Sequence, residues 1–273
     1  MEPYGHVSPQ SGDRLSRKSR LFIGKIAFDP LTMEEALFQV LALAQEGGAH
    51  YVVTPNVDHV VRAEKDADFV RICHNAALVV ADGMPLVWAS RFFCRSLPMR
   101  VAGSDLAPLV CKEGAKLGLR VFLLGGLPGE AEKAAANIRA MCPEFRLAGA
   151  YSPPFGFEHD QAECQKIIAL LNDAQAHIIL VGVGSPKQEK WIYQWRGEIE
   201  YGVLIGVGAS IGFMAGTLRR APRVLQRLGL EWAFRLCQEP RRLVGRYLRD
   251  LQFLTILWRS LAISRGHTVQ NNV

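Results

Sequence analysis

The segment Ile178-Ile-Leu-Val-Gly-Val-Gly-Ser-Pro-Lys-Gln-Glu-Lys-Trp-Ile-Tyr-Gln-Trp195 decides the fold. It opens with an apolar, β-rich run, Ile178–Val183, too short for an ordinary helix and too continuously apolar for a strand with one wet face. Gly184 and Ser185 follow the run, Pro186 stands where a helix starts, and Lys187–Trp195 reads as that helix. A second apolar run, Val203–Val207, comes next. Working outward, further strands are expected at Leu21–Phe28, Tyr51–Thr54, Leu78–Ala81, Val121–Leu124 and Arg146–Ala150. Helices are expected near Met33–Glu46, Asp58–His74, Pro85–Phe93, Asp105–Leu117, Gly129–Met141 and Asp160–Asn172. Buried strands alternating with helices predict an α/β fold, a mostly parallel Rossmann-like sheet with helices on both faces.

In open sheets of this kind ligands gather outside the carboxyl ends of the strands, where backbone amides and helix N-termini favour anions. The strand exits here are Thr54-Pro55-Asn56, Ala81-Asp82-Gly83, Gly125-Gly126, Gly182-Val-Gly184-Ser185 and Gly206-Val-Gly208. Asp82 is followed by a turn-permitting Gly83 and a helix-starting Pro85, so its carboxylate either faces a pocket or caps the next helix; the residues leave both open. Thr54 and Asn56 offer groups that hydrogen-bond a sugar, or form an ordinary capping turn. Gly184 and Ser185 place amides where a phosphate binds, with Lys187 and Gln188 in the first helical turn, or they form a plain strand-to-helix turn. Gly206-Val-Gly-Ala-Ser-Ile-Gly212 is similar to a dinucleotide-binding turn, but the second strand ending in an acid about 20 residues on is missing.

The composition, 49% hydrophobic and 21% charged over 273 residues, is globular and excludes a disordered or fibrous chain. Cys73, Cys94, Cys111, Cys142, Cys164 and Cys237 are scattered without a CxxC pair, which argues against a zinc site or a disulfide framework. GxSxG, HExxH and a metal-holding DxD pair are absent, and the seven His form no close-spaced pair, so a serine hydrolase or zinc enzyme is not expected. Residues 1–19 are polar, lack the apolar core of a signal peptide and read as disordered. No apolar run approaches the roughly 20 residues of a membrane span.

The net charge of +6 is unevenly spread. From Thr217 onward there are eleven Arg, no Lys and three acids, a net +8 that leaves −2 for the rest of the chain. This tail reads as two helices, Pro222–Cys237 and Arg241–Ser264, with Leu225, Leu228, Trp232, Leu236, Leu243, Tyr247, Leu251, Leu254 and Trp258 at helical spacing among the arginines. Such a basic amphipathic pair suits an anionic membrane surface, or it is a helical hairpin packed on the sheet. The expected organisation is thus a segment 1–19, an α/β domain 20–216 and a helical, membrane-associating appendage 217–273.

Taken in order, Thr54-Pro-Asn56, Ala81-Asp-Gly-Met-Pro85, Arg100-Val-Ala-Gly-Ser-Asp105, Phe122-Leu-Leu-Gly-Gly126, Gly182-Val-Gly-Ser-Pro-Lys-Gln-Glu189, Gly206-Val-Gly-Ala-Ser210 and Arg220-Ala-Pro222 resemble the WecG/TagA/CpsF glycosyltransferases, family 26. The tail, from Leu230-Glu-Trp232 through Gln238-Glu-Pro-Arg-Arg-Leu243 to Arg246-Tyr-Leu248, fits the same family, and the resemblance spans about residues 20 to 250. It implies an inverting, metal-independent bacterial transferase that moves a sugar from a UDP donor to an undecaprenyl-diphosphate-linked saccharide at the cytoplasmic face of the membrane. It also implies Asp82 as general base and Thr54, Asn56 and Gln188 as polar groups lining the pocket. Arg100, Gly125, Gly126, Gly184, Ser185, Lys187, Gly206, Gly208 and Ser210 then belong to the substrate-binding set, with Arg235, Arg242 and Arg246 for the acceptor diphosphate. Many relatives carry Asp where this chain has Gly212. No cofactor and no nucleic acid is expected; a homo-oligomer is compatible with the sequence. Two rival classes are a nucleotide-dependent oxidoreductase built on the Gly206 turn and a non-catalytic membrane adaptor.

Overall fold

The computed structural model describes residues 20–270, apart from Cys94, Leu228 and the side chains of Arg223, Arg227, Arg242 and residues 263–270. The segment 1–19, expected to be disordered, lies outside the described residues. The chain begins with β1 (Leu21–Ile23) and β2 (Ile26–Phe28), an antiparallel pair where one continuous strand was expected. The correction lies in Gly24, which adopts φ +60° and with Lys25 makes a two-residue turn. Asp29, just beyond, accepts from the Val79 amide at 2.8 Å and pairs with Arg20 at 2.9 Å, fastening the hairpin beside the main sheet.

Next come α1 (Met33–Glu46), β3 (Ala49–Val53), α2 (Val57–Ala63), α3 (Ala67–Asn75), β4 (Leu78–Val79), α4 (Met84–Ser90), α5 (Gly103–Lys116), β5 (Arg120–Gly125) and α6 (Glu130–Met141). These are followed by β6 (Arg146–Tyr151), α7 (Gln161–Ala174), β7 (Ile178–Gly182), α8 (Lys187–Trp195), β8 (Gly202–Gly206) and α9 (Ser210–Ala215). Local chemistry sets the boundaries. Thr32 and Glu35 form a reciprocal capping box at the start of α1. The single helix expected over Asp58–His74 is two, because the Asp66 side chain accepts from Phe69 N and starts α3 afresh. Helix α9 was not foreseen, since its six residues follow a glycine-rich turn.

The six strands of the main sheet are all parallel, in the order β4-β3-β8-β7-β5-β6. One apolar core joins the sheet to the hairpin, α2, α3, α4, α7 and α8; the other joins it to α1, α5, α6 and α9. The chain therefore leaves β3 and β7 toward the first face, and β8 and β5 toward the second. Departures are opposite between β3 and β8, between β8 and β7 and between β7 and β5, the arrangement that favours ligand binding at the carboxyl edge. The loops there touch backbone to backbone. A Cβ on Gly125, at φ +118°, would lie 2.5 Å from the Gly182 carbonyl oxygen, and one on Gly182 would lie 2.8 Å from that of Gly208.

The tail forms four helices in place of the two expected: α10 (Arg223–Arg227), α11 (Glu231–Gln238), α12 (Pro240–Asp250) and α13 (Gln252–Gln270). Gly229, at φ +71°, turns the chain between α10 and α11 against Met84 and Trp88 of α4. Helix α12 runs along α2, and α13 lies across α2 and β1. Leu243, Phe253 and Ile256 are buried, the last two within the first core, and the Gly24 amide donates to Ser260 Oγ at 3.0 Å. The tail's other side leaves Trp232, Val244, Leu248, Leu251, Leu254 and Trp258 exposed.

The glycine contacts predict a sharp contrast between two alanine substitutions. Gly125→Ala meets backbone on a neighbouring strand and should cost about 3 kcal/mol or more, whereas Gly129→Ala, at φ +82° in open space, should cost about 1 kcal/mol. Urea denaturation of both variants measures the difference.

Candidate active site

Asp82 leaves the end of β4 in a frame of backbone bonds: its amide donates to the Pro55 carbonyl at 2.9 Å, and the Val101 amide donates to the Ala81 carbonyl at 2.9 Å. The first bond joins the β4 exit to the Thr54-Pro55-Asn56 exit of β3, and the second brings Arg100 alongside. Asp82 is not a helix cap. The N-cap of α4 is Gly83, with no side-chain hydrogen bond, so the carboxylate carries no bond to the helix start. Burial pushes its pKa up to about 6, against the pull of Arg100 and Arg235 and with a smaller push from Glu231 and Asp105.

Those four neighbours form one ion network between the sheet and the tail. Arg100 bridges Glu231 (2.8 Å) and Asp105 (2.6 Å), Arg220 pairs with Asp105 at 2.7 Å, and Arg235 reaches Glu231 at 3.4 Å. Burial alone would raise the Glu231 pKa, but Arg235, Arg100 and Arg220 outweigh it and hold the carboxyl below its usual range. Glu231 and Asp105 were not among the expected site residues; an acid in a tail of eleven arginines was the available signal.

The other exits meet through polar side chains. Thr54 Oγ1 donates to the Gly206 carbonyl at 3.2 Å. Asn56 caps α2, and its Oδ1 also accepts from Arg246 at 3.3 Å, while Arg246 approaches Asp58 at 3.5 Å. His59, buried and stacked on Phe69, takes the Asn56 amide hydrogen on Nδ1 at 2.8 Å and stands 2.5 Å from Ser185 Oγ through Nε2. Burial lowers its pKa to about 3, so the ring is neutral, with its proton on Nε2. Gln188 is only 3% exposed: its Oε1 accepts from the Gly208 amide (3.1 Å) and its Nε2 donates to Glu189 Oε1 (2.8 Å). His59 and Glu189 were missed by sequence reasoning, because helical spacing alone does not say which polar side chain turns inward.

Several expected binding residues hold structure. Ser210 is buried and donates to the Val207 carbonyl at 2.6 Å. Lys187 pairs with Glu158 at 3.5 Å and lies over the Phe155 and Phe157 rings. Gly206 abuts Gln188, and a Cβ at Gly212 would come within 2.8 Å of Leu218. The Gly206 turn is thus shaped by packing, and past α9 the described chain adds no strand to the sheet, which removes the basis for a dinucleotide fold. Gly126 donates its amide to the Gly182 carbonyl at 3.2 Å, whereas Gly184 has open space around it. Arg242 falls in α12, with its side chain outside the described residues.

The electrostatics can be tested by carboxyl-detected NMR titration of Asp82. Arg100→Met removes the strongest opposing charge and should raise the pKa above about 6, while Glu231→Gln removes a like charge and should lower it.

The arrangement is an uncapped carboxylate among arginines, beside hydroxyl and amide groups at the carboxyl edge of a parallel sheet. The family model described as Glycosyl transferase WecG/TagA/CpsF family matches residues 21–267, from the first strand of the hairpin into the last tail helix. The chain belongs to the WecG/TagA/CpsF glycosyltransferase family, whose members act in cell-surface polysaccharide biosynthesis.

Proposed function

We propose that the protein is an inverting transferase that moves a sugar from a UDP donor to an undecaprenyl-diphosphate-linked saccharide, working peripherally on the cytoplasmic face of the membrane. The observation that carries this reading is Asp82, a carboxylate at a strand exit with no capping duty and a pKa near 6. A group poised there is ionised at neutral pH and still basic enough to take the proton of an acceptor hydroxyl as that oxygen bonds to the anomeric carbon, an effect worth roughly 10²–10⁴-fold. The backbone amide at Gly184 and the arginines of the Arg100 network are suited to the charge that the departing diphosphate gains.

The tail supports the membrane part. Its inner side is anchored by Leu243, Phe253 and Ile256, so the exposed Leu251, Leu254 and Trp258 are not needed for folding. Large apolar groups left in water on a segment rich in arginine suit an interface with anionic lipid. Among the described residues no helix is long and apolar enough to cross a membrane.

Asp82→Asn should reduce transfer at least about 10²-fold while UDP binding persists. Its melting temperature should hold or rise: the folded-state pKa lies above the unfolded one, so the ionised form is the less favoured in the fold at neutral pH, and the amide removes that charge. For wild type, kcat/KM should climb through about pH 6 and then level, since only the ionised base works. Residual activity within a few-fold of wild type, or a flat acid limb, refutes the base assignment; no transfer from any UDP-sugar favours a non-catalytic adaptor.

Replacing Leu251, Leu254 and Trp258 together by serine should leave thermal stability unchanged and release the protein from anionic vesicles, because each inserted side chain contributes about 1.5–3 kcal/mol. Co-sedimentation at rising salt measures both contributions. Retention of the triple variant on vesicles would leave the tail a packing element only.

A further inference from the structure

We propose that Glu189 is a positioning residue of this site: the shared acceptor of two hydrogen-bond arms, one running inward from Asn56 and the other from Gly208, that lock the exit loops of β3, β7 and β8 together. The proposal rests on the transferase reading for its kinetic consequence alone.

The direction of the chain follows from its two ends. The Asn56 amide can only donate, so His59 Nδ1 accepts, and the remaining ring proton on Nε2 is given to Ser185 Oγ. Ser185 then has its own hydroxyl proton to place. From the other end, the Gly208 amide can only donate, so Gln188 presents Oε1 to it and turns its NH2 toward Glu189 Oε1. Both arms converge on Glu189, which is 3% exposed. Its second oxygen, Oε2, is shut from solvent with no hydrogen-bond partner in this geometry; burial raises the pKa of the group, and Gln188, its own backbone amide, Ser185 and the Arg62 charge pull against that rise. Turning the Ser185 hydroxyl toward Oε2 closes the chain.

A carboxylate is the group that suits this place, since it alone accepts on both oxygens and donates on neither. The neighbouring lysines do not explain it: Lys190 pairs with Asp66 at 2.8 Å and Lys187 with Glu158 at 3.5 Å. A buried acid held mainly by dipoles is expensive, so the position serves orientation better than stability. What it orients is the Gln188 amide, hence the Gly208 turn, and the Ser185 hydroxyl beside the open Gly184.

The test is Glu189→Gln, alone and combined with Gln188→Ala. The variant keeps size but offers an NH2 in place of one accepting oxygen; turned toward Gln188, that NH2 makes the Gln188 amide flip and meet the Gly208 N–H with its own donors. We expect kcat/KM to fall about 30-fold with unchanged melting temperature, and hydrogen exchange at the Gly208 amide to quicken about 10-fold. On the Gln188→Ala background, where only the Ser185 arm remains, Glu189→Gln should cost less in kcat/KM than it does in wild type. Independent multiplication of the two effects, wild-type kinetics, unchanged exchange at Gly208, or a loss of activity that tracks a loss of stability would each overturn the proposal. A measurement on wild type serves if the variant does not fold: nitrogen NMR should find His59 protonated on Nε2 at neutral pH, and the Nδ1–H tautomer would overturn the chain. Failure of the transferase reading is separately visible as wild-type protein without transfer but with the expected Gly208 and His59 signatures.

Discussion

The backbones at the ends of β5, β7 and β8 approach so closely that Gly125 and Gly182 have no room for a side chain, one facing the Gly182 carbonyl and the other that of Gly208, and the rest of the site is arranged around that contact. With the two faces of the sheet sealed by apolar cores, polar groups have their outlet at the carboxyl edge. Because the loops on that edge touch main chain to main chain, the polar side chains among them are used first to satisfy one another. This is why Gln188, Ser210 and Thr54, read from the sequence as ligands for a substrate, turn out to bond to neighbouring backbone. Asp82, lacking such a partner among the described residues, is the group left with free chemistry.

The tail combines packing on the rest of the chain with exposed apolar side chains. It packs on α2 and the hairpin, with Leu243, Phe253 and Ile256 buried, and it also exposes Trp232, Leu248, Leu251, Leu254 and Trp258. Its arginines are less free than a count of charges suggests: Arg220, Arg235, Arg246 and Arg259 face carboxylates of the chain itself. Arg246 and Glu231 connect the tail to Asn56 and Arg100, so its placement and the geometry of the cleft are set by the same ion pairs.

Most of the fold was legible because parallel strands buried on both faces write themselves as uninterrupted apolar runs ending in glycine. What was missed has local causes. The break between α2 and α3 rests on a cap by Asp66, with neither Gly nor Pro to mark it. The hairpin hides in Leu21–Phe28 because its turn needs only Gly24 and Lys25. Within the site, the carboxylate at the strand exit could be read from position alone, whereas the inward turn of His59 and Gln188 depends on partners far away in the chain, Ser185 and Gly208, that no local pattern announces.

The strand order carries a consequence for how the chain comes into being. β8 is the last strand in sequence yet stands third in the sheet, between β3 and β7. As the polypeptide emerges from the ribosome, β3 with β4 and β7 with β5 and β6 can pair early as two separate ribbons, each with an open edge toward the missing member. Until residue 206 arrives those edges are templates for pairing with the wrong neighbour. Synthesis of this protein therefore has a vulnerable interval, ended by one five-residue strand, in which chaperone capture or a slow ribosome matters more than the stability of the finished molecule.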